Sequence, residues 1–204
     1  MLLTERYDQG AGKWTMALDR LGFPAAYRNL FAELDLNIRN KDICDVGTGC
    51  GDFVAALTQI GDPPNSLTLV DPSHKMLAQA TNRLQFACRN LHSNARRLES
   101  LRGVGEFDIM LGAHVLEHLR EPEEGLRKMF RLLRPGGRLV LSVSKPHVCQ
   151  WFIWLKWRHR WFSYQQITEL LNWAGFTAIS ASDFPCGVPA RCSRAYVAAR
   201  PLNS

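Results

Sequence analysis

Residues 43–53 read Ile43-Cys44-Asp45-Val46-Gly47-Thr48-Gly49-Cys50-Gly51-Asp52-Phe53. A short apolar strand is followed by glycines at three alternate positions and then by a helix, whose core face is expected at Phe53, Leu57 and Ile60. The first glycine permits a tight turn from strand to helix. The others let a ligand approach bare backbone, and the helix start presents N–H groups that no helical carbonyl accepts. Such a loop is expected to hold part of a nucleoside-containing ligand.

Its spacing narrows the choice. A dinucleotide site uses G-x-G-x-x-G, with a pyrophosphate on the helix N-terminus. Here the pattern is G-x-G-x-G, and Asp45 stands two residues before the first glycine. A carboxylate at that place repels a pyrophosphate. It suits a ligand that carries positive charge and a nucleoside but no phosphate, and S-adenosylmethionine (SAM), with its ammonium, sulfonium and ribose, fits. A second strand, Ser66-Leu67-Thr68-Leu69-Val70, ends in Asp71, 20 residues beyond Gly51. One carboxylate there is placed to take both ribose hydroxyls. The loop, Asp45 and Asp71 together resemble the class I SAM-dependent methyltransferases.

Two later blocks strengthen the resemblance. Phe107–Leu111 is an apolar strand followed by Gly112-Ala113-His114-Val115-Leu116-Glu117-His118-Leu119, similar to the fourth-strand motif of small-molecule methyltransferases of quinone and lipid biosynthesis. Glu121-Pro122-Glu123-Glu124 then opens a helix, with proline at its first position and acids near the positive end of its dipole. Its core face is Leu126, Met129, Phe130 and Leu133; Arg134-Pro135-Gly136-Gly137 stops it, and Arg138 to Val143 gives a fifth strand. The resemblance covers about residues 40–200. It implies a doubly wound, Rossmann-like α/β sheet of seven strands, the last antiparallel, with helices on both faces. Residues 1–40 form a helical cap before a methyltransferase domain at 41–204, which carries an aromatic-rich insertion at 146–163.

The resemblance also implies the site. The cofactor is expected along Asp45, Gly47, Thr48, Gly49 and Gly51, on Asp71, Pro72 and Met76, at Asn94 and Ala95, and by Gly112. The family often has an acidic residue at the position of Asn94, whose side-chain oxygen still accepts the same hydrogen bond from adenine. His114, directly after the fourth strand, is the candidate general base. His118 is the other candidate base but is expected rather to bond helix backbone, and Glu117, which could approach the ligand, is expected to serve as a cap or surface partner.

Elsewhere the chain reads as follows. Trp14, Leu18 and Leu21 share one face, and Pro24 opens a second helix with Tyr27, Leu30, Phe31 and Leu34. In similar enzymes an aromatic residue of this preface folds over the cofactor, a role Tyr7 or Trp14 would fill. Ser73 is an N-cap for a helix facing inward through Met76, Leu77, Ala80 and Leu84. A short edge strand around Leu91 ends at Asn94. Between Pro146 and Phe162 stand Trp151, Trp154, Trp157 and Trp161, a helical stripe that, with His147, is expected to cover the acceptor. Ser163 and Gln166 form a capping box for a helix with Ile167, Leu170, Leu171 and Ala174, closed by Gly175. Residues 176–183 and 194–200 are the last two strands, joined by a loop.

Of 204 residues, 25 are Lys or Arg and 19 Asp or Glu, a net +6 that favours anionic contacts. The Lys156–Trp161 alternation of bases and aromatics suits an anionic membrane surface, a hydrophobic small molecule or nucleic acid. Without a separate RNA-binding module, a small or lipid-like acceptor is favoured. The six cysteines include no C-x-x-C pair, so no metal site is expected. Cys44 and Cys88 are expected to be buried, and only Cys186 and Cys192 to be capable of bridging. The longest apolar run, Cys149–Leu155, falls short of the ~20 residues that span a bilayer, and a reducing cytoplasm is expected. The function expected is methyl transfer from SAM. Alternatives are a SAM-binding subunit without catalysis, an RNA methyltransferase, or a nicotinamide dehydrogenase, which the glycine spacing disfavours.

Overall fold

Apolar runs in the sequence become buried parallel strands. The computed structural model describes residues 16, 18–146, 160–185 and 187–203. Its strands are β1 (Asp42–Val46), β2 (Ser66–Val70), β3 (Asn90–Asn94), β4 (Phe107–Ala113), β5 (Leu133–Ser144), β6 (Thr177–Asp183) and β7 (Ser193–Ala199). They form one sheet in the order β3-β2-β1-β4-β5-β7-β6. β7 runs antiparallel to both β5 and β6, as expected. Helices α1 (Phe23–Leu34), α2 (Asp52–Thr58), α3 (His74–Leu84), α4 (Pro122–Leu132), α5 (Tyr164–Ala174) and α6 (Gly187–Cys192) alternate with the strands. The chain divides into two compact units, Met1–Leu101 and Arg102–Ser204.

In the first unit, β1 pairs in parallel with β2 and β2 with β3, in a register that aligns Val46 with Val70 and Val70 with Asn94. Ile43 to Val46 and Leu67 to Val70 are buried, as strands covered on both faces require. The edge strand β3 is polar and largely exposed, which blunts its unpaired backbone. Tyr27 meets the Phe53 ring edge-on at 4.7 Å between centroids, and Phe31 lies 4.8 Å from it. These three aromatics dock α1 onto α2, so residues 23–34 are part of this unit's core.

The second unit is built on β5. Its residues Leu139–Leu141 and Val143 are buried between flanking strands, and Phe130 of α4 meets Phe176 edge-on at 5.2 Å. The guanidinium of Arg200 donates to the carbonyls of Phe130, Arg131 and Leu133, the last at 2.7 Å, and lies over the Phe130 ring. A cation thus satisfies the carbonyls at the negative end of α4. The capping box at Ser163 and Gln166 is formed, and Gly175 ends α5 at φ 100°.

Two local expectations need correction, the loop at 187–192 and the burial of Cys88. Residues 187–192 are a short helix, because Pro189 suits a first turn and the following Ala-Arg-Cys continues it. The thiol of Cys192 is buried and donates to the Val188 carbonyl, and Cys186 lies outside the described residues. Cys88 is only half-buried, since it sits in the turn before the edge strand.

Candidate functional site

The first cluster of interest stands at the carboxyl ends of β1, β2 and β3. Thr48 N–H donates to the Val70 carbonyl at 3.1 Å and Asp71 N–H to the Asn94 carbonyl at 3.3 Å, tying each strand end to its neighbour. Gly47, Gly49 and Gly51 all have positive φ, at 64°, 53° and 82°. The loop therefore runs through backbone that other residues adopt only under strain. Gly51 has a second reason to be glycine. A Cβ on it would stand 3.1 Å from Leu84 Cδ1 and 3.2 Å from Ala80 Cβ, so the close packing of α3 requires its absence.

Two carboxylates flank this loop, and the fold treats them differently. Asp71 is clamped by main-chain donors: Gly49 N–H to Oδ2 at 2.9 Å and Ser73 N–H to Oδ1 at 2.8 Å. These bonds set the plane of a group with about four acceptor positions. Asp45 is buried, accepts from the Thr48 hydroxyl through Oδ2 at 2.6 Å, and keeps Oδ1 buried with no partner among the described residues. Burial pushes its pKa up to about 7, against the Thr48 hydroxyl and with help from the charges of Asp71 and Asp52. Asp52 itself is paired with Arg83. An acceptor short of a donor beneath a glycine loop fits a bound cation.

The remaining residues expected here fall around the same strand ends. Ser73 caps α3 by accepting from Met76 N–H at 3.2 Å, and Met76 is buried with its sulfur 4.0 Å from the place of a Gly49 Cβ. Pro72 and Asn94 are half-buried and Ala95 is exposed.

The second cluster lies in residues 102–204. β4 ends at Ala113, and His114 takes φ 54°, an uncommon conformation for a non-glycine residue. Its backbone N–H donates to the Ser142 carbonyl at 2.7 Å. Its ring Nδ1 lies 3.1 Å from Glu117 Oε1 and 3.1 Å from Ser144 Oγ, while Nε2 lies 3.4 Å from Ser142 Oγ. Glu117 Oε1 also accepts Ser144 N–H at 2.6 Å, and Oε2 is buried with no partner among the described residues. Burial alone would raise the Glu117 pKa; the bond and charge of His114 and the Ser144 N–H outweigh it and hold it at about 2. A buried carboxylate against a partly exposed imidazole is an arrangement that can take and release a proton.

Glu117 is thus neither a cap nor a surface partner, because the turn Leu116–His118 directs it inward onto β5. His118 N–H donates to the Val115 carbonyl. Gly112 is fixed by packing: a Cβ there would stand 2.9 Å from Val115 Cγ1. Ser142 and Ser144 escaped the sequence reading. Their signal is the alternation in Leu139-Val140-Leu141-Ser142-Val143-Ser144, which puts two hydroxyls on one face of an otherwise apolar strand. Tyr7, Trp14, His147, Trp151, Trp154 and Trp157 lie outside the described residues. Trp161 is exposed and Phe162 is buried, its N–H bonded to the Ser144 carbonyl.

Comparisons with known proteins bear on the family and the fold. A family model described as a methyltransferase domain matches residues 16–181. The ubiquinone/menaquinone biosynthesis C-methyltransferase UbiE of Vibrio vulnificus is 33% identical over 108 residues, which cover 51% of this chain and 42% of the relative. A SAM-dependent methyltransferase structure from Thermotoga maritima superposes with TM-score 0.77 at 16% identity, covering 98% of this chain and all of that one. Magnesium protoporphyrin IX methyltransferase from Synechocystis, solved with bound SAM, superposes at 0.68 with 23% identity, over 89% of this chain and 81% of its own. The chain spans about half the length of the curated relatives it matches.

Proposed function

The chain belongs to the methyltransferase-domain family, and from that membership we propose that it transfers a methyl group from SAM to a small-molecule acceptor. The observation that carries the cofactor assignment is the pair of carboxylates on the glycine loop, with one oxygen of Asp45 lacking a donor. Carboxylates at both places disfavour a pyrophosphate and favour a cationic nucleoside, whose positive charge would hold Asp45 ionised. In this reading the loop of Gly47, Thr48, Gly49 and Gly51 lies against the cofactor's amino-acid part, and Asp45 answers its ammonium. Asp71 takes the ribose hydroxyls, while Pro72, Met76, Asn94 and Ala95 border the adenosine.

Bound SAM supplies an electrophilic methyl on a sulfonium, so the chain's own part is to orient, to exclude water and to handle a proton. His114 is the residue we assign to accept that proton. The relatives named for quinone and porphyrin methylation support an acceptor that is a small, largely apolar molecule. No helix among the described residues is long and apolar enough to cross a membrane.

The test is transfer of label from methyl-labelled SAM to a cell extract separated into small-molecule, lipid, RNA and protein fractions. Label in an organic-soluble small molecule is the expected result. Label in RNA or protein would overturn the acceptor class, and SAM binding with no transfer into any fraction would favour the non-catalytic subunit.

A further inference from the structure

We propose that Glu117 is a positioning residue that holds His114 in the tautomer protonated on Nδ1, so that Nε2 is the basic nitrogen. The proposal rests on the reading of His114 as the proton acceptor. Its first support is geometric. Nδ1 faces a carboxylate oxygen at 3.1 Å, and a lone pair on Nδ1 would meet the lone pairs of that oxygen. The Ser144 hydroxyl, also 3.1 Å away, donates or accepts equally well and decides nothing. The carboxylate decides, because it only accepts.

Its second support is the anchoring of that oxygen. Ser144 N–H reaches Oε1 at 2.6 Å, so the backbone of β5 fixes the acceptor that fixes the ring. The third is the cost of the arrangement. Glu117 is buried with Oε2 lacking a donor among the described residues, and a glutamine would accept the same Ser144 N–H without burying a charge. The charge has its use in the imidazole. The strained φ of 54° at His114 belongs to the same account, since the backbone holds a histidine where glycine would be easier.

The step this serves is proton removal from the acceptor. The X–H bond of the acceptor breaks and its proton goes to Nε2. The electron pair of that bond forms the bond to the methyl carbon, and the pair of the broken S–C bond stays on sulfur, which neutralises the sulfonium. The imidazolium, held against the Glu117 carboxylate, returns its proton to water. One proton is released per methyl transferred. The dyad therefore points to an acceptor whose reacting atom itself bears the acidic proton, a phenol or enol oxygen.

The test is the 15N spectrum of the histidine-labelled full chain, with His114 identified by its loss in His114→Gln. Wild type is expected to show the proton on Nδ1 and a bare Nε2, and the proton on Nε2 would overturn the proposal. Glu117→Ala should give a mixture or the opposite tautomer; an unchanged Nδ1–H would show that Ser144, not Glu117, sets the ring. If that variant does not fold, Glu117→Gln replaces it. That variant keeps the oxygen and should keep the tautomer, yet lose roughly tenfold or more in turnover of methyl-labelled SAM with the small-molecule extract, at unchanged SAM affinity. Turnover equal to wild type would overturn the role of the charge, as would a methyl found on an amine nitrogen. Failure of wild type to transfer any methyl would count against the proposed function alone, leaving the ring-nitrogen result to decide Glu117.

Discussion

At Asp45 burial and charge are directly opposed. Its carboxyl is raised from 3.8 to about 7, so the folded chain holds this proton more tightly than the unfolded chain does. Stability is then full below about pH 4 and is lost as the pH rises to about 7, by up to about 4 kcal/mol at neutral pH and above. Asp45→Asn should remove that loss. Urea unfolding at about pH 8 should show the variant more stable than wild type by about 2–4 kcal/mol, with little difference near pH 4. A variant less stable at the higher pH would contradict the account. Glu117 works in the opposite sense. Held at about 2, it contributes stability above its ordinary 4.5 that is lost as the pH falls between those values. Asp45 and Asp71 were legible in the sequence because each closes an apolar strand beside a glycine or a helix cap. Glu117 was not, because its partner Ser144 is 27 residues away and only the pairing of β4 with β5 brings them together.

At the scale of elements, the glycine loop separates into a part that packs and a part that does not. Gly51→Ala places a Cβ 3.1 Å from Leu84 and 3.2 Å from Ala80 at φ 82°, so strain and overpacking add, for about 2–4 kcal/mol. Gly49→Ala meets only Met76 sulfur at 4.0 Å and should cost about 1–2 kcal/mol, the backbone strain alone. Thermal melts of the two variants should therefore differ, with Gly51→Ala the lower, and equal melting temperatures would refute the packing role of Gly51. Ser163→Ala, which removes one half of the capping box, should cost about 1 kcal/mol with SAM affinity unchanged. That box, the Ser73 cap and the Gly175 stop were readable because each is a local hydrogen-bonding pattern. The helix at 187–192 was not, because glycine and proline are loop signals until their position in a first turn is known.

At the scale of the molecule, the apolar runs of β1, β2, β4 and β5 announced buried parallel strands, and the polar β3 announced an edge. The order of the strands is not written in any local pattern and came only with the sheet itself; the seven strands and the reversed last one followed from the family resemblance and agree with it. If the glycine loop is a cofactor site, ligand binding must also stabilise the whole fold. SAM at a hundred times its dissociation constant should add about 2.7 kcal/mol and raise the melting temperature, whereas NADH should not. The most direct measurement is a calorimetric titration of SAM into wild type and Asp71→Asn. Wild type should bind one equivalent, and the variant, with weakened charge-assisted bonds to the ribose and to Gly49 N–H, should bind about 30-fold or more weaker. Equal affinity in the two proteins, or heat from NADH and none from SAM, would contradict the assignment of this loop.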